Sequence, residues 1–175
     1  MTAEIKNLYG VNLLVALLTR LPKLDEVELK TEDQTIGFSI YFKPQTDSAA
    51  FFELFKEEYK KIASAYSHLE IVSPSKSDAE MTSLGSGWWK ITLWVAIGEL
   101  HLSFVLLLVE WWSEFFADCE LAVNLLTEIL TEDEKYFQEE MIENMLQFLK
   151  SETKGEPLRG FRDGQDILVF PKNKS

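Results

Sequence analysis

The sequence predicts an α+β fold: an antiparallel sheet of about five or six strands, amphipathic helices packed on one face, and a C-terminal helical hairpin. Three observations carry that expectation. Apolar and polar residues alternate at period two over 26–42, the pattern of a half-buried hairpin, and the hydrophobic run 88–109 is broken at Gly98, a glycine suited to a hairpin turn. Apolar residues recur at helical spacing over 51–66 and over 112–130. With 175 residues, 46% of them hydrophobic, the chain can bury one core, so 1–175 reads as a single domain whose residues 151–175 form a short linker, a turn and a terminal strand.

In chain order, residues 3–21 crowd Leu13, Leu14, Leu17 and Leu18 onto a helix that Pro22 closes. Val27 and Leu29, then Ile36, Phe38, Ile40 and Phe42, form a hairpin around a polar turn at Glu32 and Asp33. Phe51, Phe55, Tyr59, Ile62 and Tyr66 make the buried stripe of a second helix, with a short strand expected over 69–72. The serine- and glycine-containing stretch 73–87 reads as a long, slack connection, since it holds no phosphate-binding glycine pattern.

Residues 88–109 read as a hairpin turning at Gly98 and Glu99, because glycine suits the first central position of a type II′ turn. In that register Ile91, Leu93, Val95, Leu102, Phe104 and Leu106 share one wholly apolar face. The other face mixes Trp88, Lys90, Thr92 and Trp94 with His101 and Ser103. It is too apolar to leave wet and too polar for a dry core, so something partly polar should cover it. Downstream, Trp112, Phe116, Cys119, Val123, Leu126 and Leu130 continue a helical stripe. Thr131 and Glu134 then form a capping box that opens the second helix of the C-terminal hairpin. A glycine turn near Gly160 and Gly164 and a strand over 167–170 follow.

Charge limits the partners. The formal net charge is −12, from 29 acidic against 17 basic side chains, which repels nucleic acid and anionic membrane surfaces. The apolar run 91–109 carries Glu99 and His101 at its centre, a costly placement in hydrocarbon, and residues 11–18 lack the flanks of an export signal. The single cysteine, Cys119, cannot form an intramolecular disulfide and is expected as a small core residue of a cytoplasmic protein.

Catalytic chemistry has no clear anchor. No H-x-x-x-H or C-x-x-C occurs, and Glu110, Glu114 and Asp118 read as a solvated acidic helix face, so no metal or cofactor is expected. Nucleophile-elbow, Walker and dinucleotide patterns are missing, which weighs against an enzyme. His101 and Ser103 would project from one strand face as a base and nucleophile, against the plainer reading of a hydrogen-bonded structural histidine. Arg159 and Arg162, with Asp163, would suit a carboxylate or phosphate at a glycine turn, against the plainer role of a surface salt bridge.

The function expected from these residues is a cytoplasmic protein-interaction, regulatory or chaperone-like homodimer that uses the mixed face as its interface. The alternative is a small-molecule-binding protein or enzyme with a pocket lined by Trp88, Lys90, Thr92, Trp94, His101 and Ser103. In a third reading a helix of the same chain covers the face.

Overall fold

A computed structural model describes residues 3–69, 77–122, 130–151 and 155–172. Helix α1 (Ala3–Arg20) leads into strands β1 (Glu26–Lys30) and β2 (Thr35–Lys43), then helix α2 (Ser48–Leu69). Strands β3 (Ser77–Gly85) and β4 (Trp88–Ala96) pass through one 3-10 turn at Ile97–Glu99 into helix α3 (Leu102–Phe115). The short strand β5 (Glu120–Leu121), helix α4 (Glu132–Ser151) and the hairpin β6 (Leu158–Asp163) and β7 (Asp166–Pro171) complete the described elements.

The strands form one antiparallel sheet in the order β3-β4-β2-β1-β6-β7, with β5 joined to the far end of β2. It therefore has seven strands, more than the five or six expected. Three of them were not expected as strands: β3, β5 in the stretch expected to be helix, and β6, which holds Gly160 where a glycine turn was expected; the strand expected over 100–109 is a helix instead.

Register sorts the side chains between the two faces. Leu29 opposes Ile36, which opposes Val95; Val27 opposes Phe38, which opposes Leu93. All these side chains are buried, and the helices lie on them. Leu14 and Leu18 of α1 sit over Gly160, close enough that a Cβ there would be 3.2 Å from Leu18. Phe51 of α2 stacks on Phe42 at 4.9 Å, and Phe116, just after α3, meets the same ring at 5.1 Å. Helix α4 packs beside α1, where Arg20 bridges to Glu139 at 2.6 Å. Among the described residues no helix packs on the opposite face.

The segment after β4 is the main correction to the expected fold. Residues 102–115 are helical, so the hairpin turning at Gly98 does not form. Phe104, Val105, Leu108, Trp111 and Trp112 are its buried residues, a spacing of one, three and four that belongs to a helix. An unbroken apolar run fits a buried helix as well as a buried strand, and its leucines favour the helix. Gly98 has no positive φ and a Cβ there would meet nothing within 4 Å. The true partner of β4 is β3, inside the stretch read as slack. There Ala79 and Met81 alternate with Asp78, Glu80 and Thr82, and the turn is Gly85-Ser86-Gly87, all three with positive φ. Small inward residues and outward acids suit an edge strand and hid its period.

The expected C-terminal helical hairpin is also revised. Helix α3 ends at Phe115, residues 116–119 turn, and Cys119 is half-buried in the bend before β5 rather than on a helix. Asp118 likewise leaves the helix that carries Glu110 and Glu114. Of the apolar stripe expected to end at Leu130, residues 123–129 lie outside the described residues, as does most of the strand expected over 69–72. The capping box is present: Thr131 Oγ1 accepts from the Glu134 N–H at 3.2 Å, and Glu134 accepts from the Thr131 N–H at 2.8 Å. Helix α3 has no side-chain cap of its own; Glu143 of α4 accepts from the Leu102 N–H instead, at 3.2 Å. No helix among the described residues is long and apolar enough to cross a membrane.

Candidate functional site: the helix-free face of the sheet

Strand register places Glu26 between Ser39 on one side and Phe161 on the other, with Thr92 and Glu80 continuing the row beyond Ser39. The parallel row runs from Arg159 through Glu28, Gly37 and Trp94 to Asp78. These side chains point away from the helices because their neighbours in each strand point toward them. The face is assembled from three hairpins, β1–β2, β3–β4 and β6–β7, that are far apart in sequence.

Glu26 is its centre and is fully buried, although no described helix lies above it. Long neighbours cover it. Arg159 donates through Nε and Nη2 at 2.7 and 3.1 Å, Lys90 donates at 2.9 Å, and the Tyr41 hydroxyl donates at 2.5 Å. Burial alone would push the Glu26 carboxyl up, but Arg159, Tyr41 and Lys90 together outweigh it and hold the group below the usual carboxylate value. The same contacts push the Tyr41 phenol up to about 12, through burial and then the neighbouring carboxylate. Beside them Ser39 and Thr92 share a hydrogen bond of 2.7 Å, which satisfies two buried hydroxyls.

Trp94 forms the second cluster. Its ring lies on Gly37, its indole N–H donates to Glu80 at 3.0 Å, and the Lys30 ammonium stands 3.7 Å from the ring centroid. Next to it Glu28 is paired with Lys172. Toward the β7 edge Phe161 and Phe170 stack at 5.6 Å, with the Arg159 guanidinium 5.6 Å from the Phe161 ring. Phe170 is 49% exposed, an open apolar ring at this edge of the face.

The residues singled out from sequence divide. Trp88, Lys90, Thr92 and Trp94 share this face, and Arg159 joins them through Glu26. His101 and Ser103 do not. Both sit at the start of α3, in the helical layer, where Ser103 shares a hydrogen bond of 2.8 Å with Tyr66; they cannot stand opposite β4 as a strand partner would. Arg162 points to the helical side, where it donates to the carbonyls of Leu18, Leu21 and Leu24 and so closes the C-terminus of α1. It is not arranged with Arg159 as a fork. Trp94 is only 9% exposed, so long side chains of its own sheet cover it rather than a helix.

Sequence reasoning missed Glu26, Tyr41, Phe161 and Phe170. Each looks like an ordinary outward residue in its own strand. Only the strand order brings Glu26 between Lys90, 64 residues away, and Arg159, 133 residues away.

Chemically the face suits recognition. Its central carboxylate is ionised and occupied, its phenol is held protonated, and its hydroxyls are paired with each other. Asp25, by contrast, has a carboxyl pushed up to about 7, by burial first, against the Tyr41 N–H that donates to it at 2.7 Å and the nearby Arg162. Its position in β1 register turns it toward the helices. Among the described residues no group of three or more histidines, cysteines or carboxylates is arranged to hold a metal ion. Burial, and then Asp118, push the Cys119 thiol up, away from thiolate reactivity. No protein-family model matches the chain, and no curated protein or solved structure matches it significantly.

Proposed function

We propose that the chain is a protein-interaction domain that pairs with a second copy of itself through the helix-free face of the sheet. The observation that carries this reading is the buried Glu26 cluster with an arginine, a tyrosine and an exposed phenylalanine around it. Arginine and aromatic residues dominate the binding energy of interfaces, and a charge whose partners are already in place is not stranded when water leaves. Stacked sheets pack about 10 Å apart through faces of this kind.

Charge favours a second copy on this face over one on the helices. Lys30, Lys90, Arg159 and Lys172 surround Glu26 and Glu28 at the centre, in a chain whose formal charge is −12. The margins are acidic, with Asp78 and Glu80 on β3 and Asp163 and Asp166 at the β6–β7 turn. A two-fold contact offset by a strand or two sets the cationic centre of one face against the acidic margin of the other. A regulatory or chaperone-like role in the cytoplasm fits such a module, and the lone half-buried thiol suits a reducing compartment.

Hydroxyl-radical footprinting at rising protein concentration tests where the contact lies. Phe170 and Trp88 should lose reactivity as the dimer fills, while Tyr136 and Phe137 on α4 keep theirs. Protection of the α4 residues alone would overturn the reading.

A further inference from the structure

Helix α4, in the helical layer, exposes two aromatic rings. Phe137 is 64% exposed and Tyr136 69%. A groove of about 450 Å3 lies between α1 and α4, lined by Met141 and Met145 and by Tyr9 and Phe148, whose rings stack at 4.1 Å. Phe137 also borders a second hollow, of about 310 Å3, beside Leu130 at the start of α4. Because both hollows share that ring, they follow one side of α4 from residue 133 to residue 148. At about 1.5 Å per residue this is a track of roughly 22 Å, the length of four helical turns.

Among the described residues that line the track the charges have one sign: Glu140 lines the larger hollow, Asp133 and Glu134 line the smaller, and none of the described lysines or arginines lines either. Nearby, Arg20 is tied to Glu139. The groove thus offers aromatic walls, two adaptable thioethers and a carboxylate rim.

We propose that this groove docks an amphipathic helix of a partner protein that carries lysine or arginine beside its apolar face. Helices bind such grooves by seating an apolar stripe, and methionines let the lining adjust to the side chains presented. Carboxylates along the rim then select basic flanks and set the orientation. A second copy of this chain is a poor occupant. Its own α4 bears Glu132, Asp133, Glu134, Glu139, Glu140 and Glu143 against Lys135 and Lys150, so two such helices repel. Nucleic acid and anionic membranes are repelled by the same rim. The site is separate from the sheet face, so it goes beyond the self-association proposed there.

The test uses the full chain and a fluorescent amphipathic peptide of leucine and lysine, about 14 residues long to match the track. Anisotropy should report saturable binding that weakens as salt rises. Phe137→Glu should weaken it at least about tenfold, a loss of about 1.4 kcal/mol by the affinity relation. Its ring is exposed, so circular dichroism should show the fold unchanged. Glu140→Lys should weaken binding and reduce its dependence on salt. Phe170→Glu, on the sheet face, should leave it unaltered, which separates this result from that of the sheet face. A peptide of the same composition in scrambled order, and a leucine and glutamate helix, should not bind saturably. The proposal falls if the ordered peptide fails to bind, if the scrambled or acidic peptide binds as tightly, or if Phe137→Glu has no effect. It falls equally if Phe137→Glu instead splits a dimer, which would make a second copy the occupant.

Discussion

Trp94 rests on Gly37: a Cβ at Gly37 would stand 2.6 Å from the indole ring. The two residues are paired across β2 and β4, and the missing side chain on one strand makes room for the largest side chain on the other. That contact explains how a tryptophan on the helix-free face is nearly covered without a helix.

Gly37→Ala should therefore destabilise the fold by about 1–3 kcal/mol, the range for forcing an extra carbon into a filled site. Chemical denaturation measures it. Gly98→Ala is the contrasting variant: with open space around its Cα and no positive φ, it should leave the midpoint unchanged or slightly raised. Equal losses at both positions would mean that Trp94 does not lie on Gly37.

Glu26→Ala removes the acceptor shared by Lys90, Arg159 and Tyr41. Lys90 and Arg159 remain 21% and 44% exposed, so water relieves them in part, and a cost of roughly 2–3 kcal/mol is expected rather than that of a wholly buried pair. Glu26→Gln keeps the shape and one acceptor and should lose less. If both variants melt with the wild type, the cluster contributes nothing to stability and serves the face alone.

The two neighbouring carboxyls give opposite pH dependence. Glu26 is held below its usual 4.5, so its stabilisation is present above that value and is lost as pH falls through the depressed one. Asp25 is raised from its usual 3.8 to about 7, so its proton is held more tightly in the folded chain. Its contribution is full below 3.8 and fades as pH rises through 7. Between pH 5 and 7.5 stability of the wild type should decline, and Asp25→Asn should flatten that decline while still accepting from the Tyr41 N–H. Denaturant midpoints across this window decide it, and a wild-type curve as flat as that of the variant would contradict the assignment.

Where local pattern determines structure, the sequence was readable. The β1–β2 hairpin, the aromatic stripe of α2 and the Thr131 capping box all depend on residues within a few positions of one another. The segment after β4 was not readable in the same way. His101, Leu102 and Ser103 continue an alternating pattern for several residues, and helical spacing emerges only once Phe104, Leu108 and Trp111 are set against a partner. Strand β3 was hidden for the opposite reason, since an edge strand with alanine and methionine inward carries little hydrophobic signal. The site was half legible. Lys90, Thr92 and Trp94 are grouped by parity in one strand, but Arg159 joins them only because β6 pairs with β1, a non-local pairing that no motif announces.

Sedimentation equilibrium on the wild type and on Phe170→Glu tests the central claim most directly. Phe170 is 49% exposed, so the substitution should leave the folded chain intact, whereas a charge set into an apolar contact loses hydration that Arg159, its neighbour across β6 and β7, offsets only in part. The account predicts a wild-type dimer and a folded Phe170→Glu monomer. A wild type that stays monomeric at high concentration, or a dimer that Phe170→Glu leaves untouched, would contradict it.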